Sequence, residues 1–220
     1  MAVAFFDLDR TLLAANSATL WVRRELALGN LRRRQGVQAA VWLGLYQLGL
    51  GGMDVLVARA IATLAGTREA DVRERTRAFY REQVSALYRP GGLAALERHR
   101  GAGDRVVLLT SSSQYLSECV AQELRLDDIL CNRFEVDAAG RHTGRALGAL
   151  CYGEGKLAYA RAYAAGAKAD LGACAFYTDS YSDLALLEQV GRPVAVNPDL
   201  RLKRRAARHG WETVDWGSPG

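Results

Sequence analysis

Two aspartates stand two positions apart, directly after a short apolar run near the N-terminus. The run Ala2–Phe6 carries no charge and leads into Asp7 and Asp9, with Thr11 two positions further on. An aspartate at the end of a strand often caps the next turn, so this pair by itself does not establish a chemical site. The pair indicates a chemical site only if other polar residues of the chain lie close to it in the folded protein.

Polar groups also follow two later apolar runs. Thr110 comes directly after Arg105–Leu109, and Asp179 comes two positions after Cys174–Tyr177, with Asp183 four positions beyond it. Each has a plainer interpretation, because Thr110 could cap the helix that follows and Asp183 could be an acid favoured by the dipole at a helix start. The repetition of the same arrangement favours a shared site over separate caps.

A single lysine adds a cation to this set. Lys156 opens a helix-like segment and is preceded by Gly153, Glu154 and Gly155. Lysine is usually solvated, which is the alternative interpretation here. Glycine on either side of Glu154 instead indicates a close approach of the backbone, because glycine has no Cβ. We therefore include Lys156 among the candidate functional residues.

The elements that must position these residues follow one pattern. Four short apolar runs, the last of them Pro193–Val196, each end in polar residues, and the helix-like segments Gln114–Leu124, Ser182–Val190 and Asp199–Arg208 follow the last three runs. Such runs are typical of buried strands in a parallel sheet that is covered on both faces. Strand, polar end and helix in repetition predict an open α/β fold, whose ligands bind beyond the carboxyl ends of the strands.

Two stretches depart from this alternation. Between Ala14 and Leu87 the pattern is helical throughout, with breaks at glycines, and this predicts a domain inserted between the first and second strands. Cys131–Val136 and Arg141–Ala146 predict a hairpin appended to the edge of the sheet. The predicted division is an α/β core of residues 1–13 and 89–220 with an all-helical cap at residues 14–88.

In order and spacing, these motifs resemble those of the haloacid dehalogenase superfamily of phosphatases. The resemblance covers nearly the whole chain, and it is greatest to the branch that contains phosphoserine phosphatases, in which a helical cap follows the first strand. It implies a Rossmann-like parallel sheet core, a phosphatase with Mg²⁺ as cofactor, and a small phosphorylated substrate. The residues that carry it are, in chain order, Asp7, Asp9 and Thr11; Thr110; Lys156; and Asp179 with Asp183.

The resemblance assigns catalytic roles that the chemistry of a phosphate monoester explains. Such a substrate is a dianion, so its charge must be neutralised before a carboxylate can attack it. Asp7 would be the nucleophile that forms an aspartyl-phosphate, and Asp9 would protonate the leaving alkoxide and later take a proton from water. Lys156 would supply a cation beside Asp7.

Binding of the phosphoryl group and of the metal ion is implied for the remaining residues. The hydroxyl of Thr110 and the amide of Ser111 would donate to phosphoryl oxygens at a helix N-terminus, where anions are favoured. Mg²⁺ is a hard ion that prefers oxygen ligands. It would be held by Asp7, the backbone carbonyl of Asp9 and Asp179, with Asp183 completing the site directly or through water.

The sequence departs from the family pattern at positions near these motifs. The residue after Asp9, commonly glycine in the superfamily, is Arg10, whose bulky side chain predicts an ordinary backbone angle. Asn16 stands where phosphoserine phosphatases carry a glutamate that pairs with the substrate's ammonium group, and neither Asn16 nor Ser17 is charged. Without that ion pair the site would discriminate less well for an amino acid, so phosphoserine is a possible substrate and not the favoured one.

Residues of the cap would set the choice of substrate. Arg23, Arg24 and Glu25 in the first cap helix are candidates, and we assign Arg23 to substrate binding. Gln35–Met53 carries no charge and follows a run of arginines at 32–34. It predicts an amphipathic cap helix, with a helix that touches anionic lipid head groups as the alternative. That alternative makes a lipid phosphate of the lysophosphatidate or phosphatidylglycerophosphate type the second candidate substrate.

Two other functions are alternatives to a phosphatase. One is a module that keeps the fold, binds anionic lipid and has lost turnover, and the intact Asp7, Asp9, Lys156 and Asp179 argue against it. The other is a phosphotransferase or mutase, which would pass the phosphoryl group to an alcohol in place of water.

Composition agrees with a globular enzyme. The 220 residues are 50% apolar and 24% charged, which excludes disorder or a coiled coil for the whole chain. The net charge of +5 is too small to argue for nucleic acid, and the basic residues between Arg201 and Arg208 lack aromatic neighbours for base stacking and predict a solvated helix face. The four cysteines lack metal-ligand spacing and no leader peptide is apparent, so we expect free thiols in a cytoplasmic protein.

Overall fold

The computed structural model describes residues 2–30 and 53–219, the first four of the second range by their backbone only. At its centre is a six-stranded sheet in which every neighbouring pair of strands is parallel. The predicted α/β fold with a parallel sheet is confirmed. In spatial order the strands are β3 (Asp128–Asn132), β2 (Arg105–Ser113), β1 (Val3–Phe6), β6 (Ala175–Thr178), β7 (Arg192–Val196) and β8 (Glu212–Val214).

Alternate residues of the strands pack into two hydrophobic cores. In β1, Ala4 and Phe6 lie in one core while Val3 and Phe5 lie in the other, and all four are buried. Successive strand residues point to opposite faces of the sheet, and helices cover both faces here. This burial on two sides explains why β1 is an uninterrupted apolar run and does not alternate with polar residues.

Helices occupy the connections between the strands and the segment between β1 and β2. In that segment, the predicted stretch Gln35–Met53 lies outside the described residues except for Met53. Within the two described ranges, no helix combines the length and the apolar character that crossing a bilayer requires. The helices are α1 (Ser17–Ala27), α2 (Met53–Ala62), α3 (Glu69–Phe79), α4 (Pro90–Gly101), α5 (Gln114–Leu124), α6 (Glu154–Gly166), α7 (Leu184–Leu187) and α8 (Leu200–His209).

The predicted hairpin at the sheet edge was wrong in its boundaries and in its place. Cys131 and Asn132 belong to β3, the edge strand of the main sheet, which the sequence did not reveal as a separate strand. The chain leaves the main sheet after Asn132, and β4 (Phe134–Val136) pairs with β5 (His142–Ala146) in a two-stranded antiparallel sheet of its own. The short edge strand β8 was also missed, because three residues with one apolar side chain give too weak a pattern.

The β4–β5 hairpin is bonded to the helical segment that precedes β2. Gly66 donates its N–H to the carbonyl of His142 at 2.8 Å, and His142 donates to the carbonyl of Thr67 at 2.9 Å. Glu69 donates to the carbonyl of Gly140 at 2.9 Å. These backbone bonds join the start of α3 to the hairpin, so the helical segment between β1 and β2 is bonded to the part of the chain after β2. The division into core and cap stays a prediction.

Candidate active site

The order of the strands brings the predicted polar ends together. Asp7 follows β1, which lies between β2 and β6 in the sheet. Thr110 lies in the last part of β2, and Asp179 directly follows β6. Because the three strands are parallel, their carboxyl ends meet at one edge of the sheet, with Asp7 in the middle.

A buried lysine links two of the carboxylates. The Nζ atom of Lys156 lies 2.7 Å from Asp7 Oδ1 and 2.8 Å from Asp183 Oδ2, and the lysine is 3% exposed. Thr178 also donates to Asp183 Oδ2, at 2.7 Å. Asp183 stands at the N-cap position of α7, as the helix-start alternative predicts, but its carboxylate makes no capping bond there and binds Lys156 and Thr178 instead.

A tight turn before α6 places Lys156 in this position. A Cβ atom on Gly155 would lie 2.0 Å from the carbonyl oxygen of Leu150, and Gly153 has a positive φ of 52°. Only glycine fits both requirements without strain, which is the close approach that the glycine pair predicts. The interpretation of Lys156 as a solvated helix residue is therefore wrong.

Thr11 is a further member of the site, with a role that its sequence motif does not reveal. Its hydroxyl donates to Asp7 Oδ2 at 3.3 Å and accepts the backbone N–H of Asp179 at 3.0 Å. The threonine is fully buried. Its spacing of four from Asp7 was a usable signal, but the bond to Asp179 depends on a contact between segments that are far apart in the chain.

The first turn of α1 holds the second aspartate of the pair. The backbone N–H of Ser17 donates to Asp9 Oδ1 at 2.7 Å. Burial raises the pKa of Asp9, while hydrogen bonds from Ser17 oppose that rise. Asn16, at the position that carries a glutamate in phosphoserine phosphatases, caps α1 by accepting the N–H of Thr19 at 2.9 Å.

The end of β2 carries the predicted phosphate-binding groups. Thr110 is 1% exposed, and its hydroxyl oxygen accepts the N–H of Ser112 at 3.2 Å. Thr110 does not cap the following helix, because the side chain of Ser113 caps α5. Ser111 turns its hydroxyl away to the carbonyl of Cys151 at 2.9 Å, which leaves its amide as the predicted donor to a ligand.

The prediction of an ordinary backbone angle at Arg10 was wrong. Arg10 has φ 59° and ψ −3°, in the left-handed region that disfavours side chains with a Cβ. Its N–H donates to the carbonyl of Ala15 at 3.1 Å, and its carbonyl accepts from Arg89 Nε at 3.3 Å. Bonds to neighbouring segments therefore hold a conformation that the residue type alone would not choose.

The candidate substrate residues on α1 differ in their surroundings. Arg23 is exposed, and across the described ranges no hydrogen bond or ion pair joins it to the carboxylates of the site. Glu25 is buried and pairs with Arg24 at 3.3 Å and with Arg75 at 2.7 Å. Arg24 also pairs with Glu82 at 2.9 Å. Arg24 and Glu25 thus join α1 to α3 and to the residues directly after α3, and of the three candidates on α1 Arg23 is the one available for a ligand.

Negative charge exceeds positive charge in the buried part of the site. Burial raises the pKa of Asp7 to about 6, although Lys156 opposes the shift. Burial, followed by Asp7 and Asp183, raises the pKa of Asp179 to about 8. Burial alone would lower the pKa of Lys156, but Asp183 and Asp7 outweigh it and raise that pKa, so the ammonium stays charged.

The donor set fits a divalent cation with hard oxygen ligands. Asp183 Oδ1 is buried and has no hydrogen-bond partner among the described residues. In the same part of the chain, side chains alone form no group of three His, Cys, Asp or Glu residues suited to a metal ion. The predicted site therefore depends on the backbone carbonyl of Asp9 as well as on the carboxylates of Asp7 and Asp179. A cation there would neutralise the surplus charge that raises their pKa values.

Comparisons with known proteins agree with this arrangement. The family of haloacid dehalogenase-like hydrolases matches residues 4–188. A phosphoserine phosphatase of Mycobacterium tuberculosis is 32% identical over 98% of this chain and 71% of its own length. A histidinol-phosphatase of Neisseria meningitidis is 28% identical over 97% of this chain and 98% of its own length.

A solved structure extends the similarity to three dimensions. A protein of unknown function from Bordetella pertussis Tohama I superposes with a TM-score of 0.90 and 26% identity, over 98% of this chain and 99% of that one. The family match includes the positions of Asp7, Thr110, Lys156 and Asp179. The chain therefore belongs to the haloacid dehalogenase-like hydrolase family and is a phosphatase of that family.

Proposed function

We propose that this phosphatase hydrolyses a small phosphate monoester by way of a phosphorylated aspartate, with Asp7 as the nucleophile. The observation that carries the proposal is the buried ammonium of Lys156, 2.7 Å from Asp7 Oδ1. A dianionic ester repels a carboxylate, and a fixed cation beside the carboxylate offsets that repulsion. The arrangement supports attack by Asp7 on the phosphorus atom of a bound ester.

The proposed reaction has two steps, phosphorylation of Asp7 and hydrolysis of the phosphorylated aspartate. Asp7 Oδ attacks phosphorus, the bond from phosphorus to the ester oxygen breaks, and Asp9 gives its proton to the departing alkoxide. Water then attacks the phosphorus of phospho-Asp7, Asp9 takes a proton from that water, and phosphate leaves with Asp7 restored. Asp9 suits the first step because burial raises its pKa and favours the protonated form.

Three groups would hold the phosphoryl oxygens during both steps. The Thr110 hydroxyl and the Ser111 amide lie at the end of β2, close to the start of α5, where a helix N-terminus favours anions. Lys156 contributes its positive charge directly beside Asp7. These donors gain strength as negative charge shifts onto the phosphoryl oxygens in the transition state.

Mg²⁺ fits the oxygen atoms at this edge of the sheet. We propose that Asp7, the backbone carbonyl of Asp9 and Asp179 hold it, with Oδ1 of Asp183 reaching it directly or through water, since Oδ2 is already bonded to Lys156 and Thr178. When bound, the ion would neutralise charge between the nucleophile and the phosphoryl group. Asp183 then keeps Lys156 pointing at Asp7.

The organic part of the substrate would be recognised by the inserted helices. Asn16 and Ser17 carry no charge, and Asn16 is occupied as a helix cap, so we do not expect the ammonium contact of phosphoserine phosphatases there. Arg23, exposed on α1, is our candidate for a contact with an anionic part of the substrate. The names of the relatives place phosphoserine and histidinol phosphate first among the compounds to test.

We also infer a cytoplasmic location, because all four cysteines are free thiols.

A lipid phosphate is the second candidate substrate. Its basis is the uncharged sequence Gln35–Met53, which lies, apart from Met53, outside the described residues. This candidate is tested by comparing the rate of phosphate release from a lysolipid phosphate with the rates from phosphoserine and histidinol phosphate. Contact with an anionic membrane would follow only if the lysolipid phosphate is the better substrate.

Phosphate release from p-nitrophenyl phosphate and from the three named esters tests the proposal. We expect turnover that requires Mg²⁺ and is lost in Asp7→Asn, because an amide is not a nucleophile towards phosphorus. Asp71→Asn, which changes an exposed aspartate of α3 in the same way, should retain full activity. Metal-dependent turnover in Asp7→Asn would refute the assigned nucleophile. Transfer of phosphate to added alcohols, in place of release to water, would instead indicate a phosphotransferase.

A further inference from the structure

The last part of β2 leaves the regular ladder of the sheet. Leu109 pairs with Leu130 of β3, but the next pair is Ser113 with Asn132, so β2 has two more residues than β3 over this interval. The extra residues bulge at the point where Thr110 and Ser111 approach the site. Bulges of this kind redirect side chains and occur next to active sites, and their backbone groups need partners other than the neighbouring strand.

The side chain of Asn132 supplies such a partner and also reaches a second segment. Its Nδ2 donates to the carbonyl of Ser111 at 2.6 Å, and its Oδ1 accepts the N–H of Cys151 at 2.8 Å. Asn132 is 1% exposed, and Cys151 is fully buried. The two bonds also determine the orientation of the amide, because the carbonyl can only accept and the N–H can only donate.

A third bond closes a ring between the same segments. The hydroxyl of Ser111 donates to the carbonyl of Cys151 at 2.9 Å. Ser111 and Cys151 are therefore joined directly by this bond and indirectly through Asn132. Neither contact of Asn132 involves a substrate, a metal ligand or the nucleophile.

Cys151 leads into the turn that positions the catalytic lysine. Five positions separate Cys151 from Lys156, and the intervening chain is folded tightly, since Gly155 donates its N–H to the carbonyl of Tyr152 at 2.8 Å. Little freedom is left between the residue that Asn132 holds and the ammonium beside Asp7. A shift at Cys151 would therefore be passed on to Lys156.

We propose that Asn132 is a positioning residue that sets the separation between the phosphate-binding end of β2 and Lys156. This role rests on the proposed function, because it presumes that Thr110, Ser111 and Lys156 act on one phosphoryl group. Asn132 acts through Ser111 on one side and through Cys151 on the other. The geometry must hold to a fraction of an ångström, since small displacements of groups around a transition state cost much of the rate.

Two substitutions separate the effects of the two bonds. Asn132→Ala removes both, and we expect kcat to fall about 10- to 100-fold with a smaller change in KM, as is usual for residues that orient catalytic groups. Asn132→Asp keeps an oxygen that accepts the N–H of Cys151. When the new side chain is ionised, however, it cannot donate to the carbonyl of Ser111, and the two oxygens repel each other. The protonated acid can donate to Ser111 and accept from Cys151, which restores both bonds.

The pH dependence of the variants distinguishes positioning from general destabilisation. The activity of Asn132→Asp relative to wild type should rise as the pH is lowered, while the relative activity of Asn132→Ala stays constant. A control is Asn197→Asp, because the side chain of Asn197, directly after β7, also both donates and accepts: it donates to the Asp215 carboxylate at 2.6 Å and accepts the backbone N–H of Trp216 at 3.0 Å. It should lower the melting temperature and leave kcat unchanged.

The outcomes are distinct. Wild-type kcat in both Asn132 variants, with only a lowered melting temperature as in Asn197→Asp, would overturn the positioning role while the proposed function stands. A reduced kcat in Asn132→Asp that does not recover in acid would also count against it. Wild-type protein without any turnover would overturn the proposed function and, with it, this role.

Discussion

The hydroxyl of Thr11 accepts the backbone N–H of Asp179 at 3.0 Å and thereby ties the turn after β1 to the loop after β6. The same hydroxyl donates to Asp7 Oδ2 at 3.3 Å. One neutral, fully buried group thus contacts Asp7 and Asp179, two of the residues that we propose as metal ligands. Its position between two segments that are far apart in the chain makes it a sensitive point for the whole site.

Removal of this hydroxyl should impair both activity and stability. Thr11→Val keeps the shape of the side chain but leaves the buried N–H of Asp179 without its partner, which costs about 1–3 kcal/mol of unfolding free energy. We expect kcat to fall about 10- to 100-fold, as for other residues that orient ligands. Thr11→Ser keeps the hydroxyl and should retain most of the activity. Equal kcat in the valine and serine variants would contradict this role.

Gly155 and Gly166 offer a matched pair of substitutions in one helix, α6. A Cβ on Gly155 would meet the carbonyl oxygen of Leu150 at 2.0 Å, whereas a Cβ on Gly166 has no neighbour within 4 Å. Gly155→Ala should displace the turn that carries Lys156, at a cost of about 1–3 kcal/mol in stability, and kcat should fall about 100-fold. Gly166→Ala should leave kcat unchanged and the melting temperature equal or higher. Full activity in Gly155→Ala would show that the turn does not position Lys156.

Mg²⁺ should stabilise the folded protein through Asp179. A ligand that binds only the folded state adds about 2.7 kcal/mol at a concentration 100 times its Kd. We expect the melting temperature of the wild type to rise with added MgCl₂ and to return to its starting value with a chelator. Asp179→Asn should lose most of this rise, while Asp71→Asn should keep it. An undiminished rise in Asp179→Asn would exclude that residue as a ligand.

Acid should weaken the fold through His142, away from the active site. His142 is 2% exposed, and its Nε2 lies 3.3 Å from the Tyr115 hydroxyl. Burial lowers the pKa of His142, so the folded state keeps this ring neutral. The unfolded chain takes up a proton as the pH falls through about 6.5, and the unfolding free energy falls with it.

Unfolding measured at several pH values checks this prediction. The unfolding free energy of His142→Gln should decline less steeply than that of the wild type between about pH 7 and pH 5, because the proton uptake of the unfolded histidine is gone. His209→Gln removes an exposed histidine, and its unfolding free energy should decline with pH as steeply as that of the wild type. Identical slopes for the His142 variant and the wild type would refute the prediction.

The structure shows where local sequence signals suffice. Asp7, Thr110 and Asp179 were predictable as strand-end residues because each follows an apolar run, and the run and its polar end are neighbours in the chain. Lys156 was predictable because glycines precede it. By contrast, β3 begins at the exposed Asp128 and ends in the buried Asn132, so hydrophobicity gave little sign of that strand.

Arg10 and Asn132 show where local signals fail. Arg10 adopts a left-handed backbone because bonds to Ala15 and Arg89 hold it, and residue preferences predict the opposite. Asn132 is an ordinary polar residue in the sequence, and its bonds to Ser111 and Cys151 appear only when β2 and β3 are side by side. Both cases depend on contacts that a single segment does not contain.

By itself, the sequence determined the chemical groups of this phosphatase and the elements that carry them, because apolar runs, glycines and charged ends are properties of short stretches of chain. Only the tertiary structure decided that β1 lies between β2 and β6, and that the ammonium of Lys156 lies between Asp7 and Asp183. The order of strands and the direction of a buried side chain arise from packing between residues far apart in the chain, and no local pattern encodes them. Lys156 and Asp7 are 149 positions apart, yet their charged atoms lie 2.7 Å from each other.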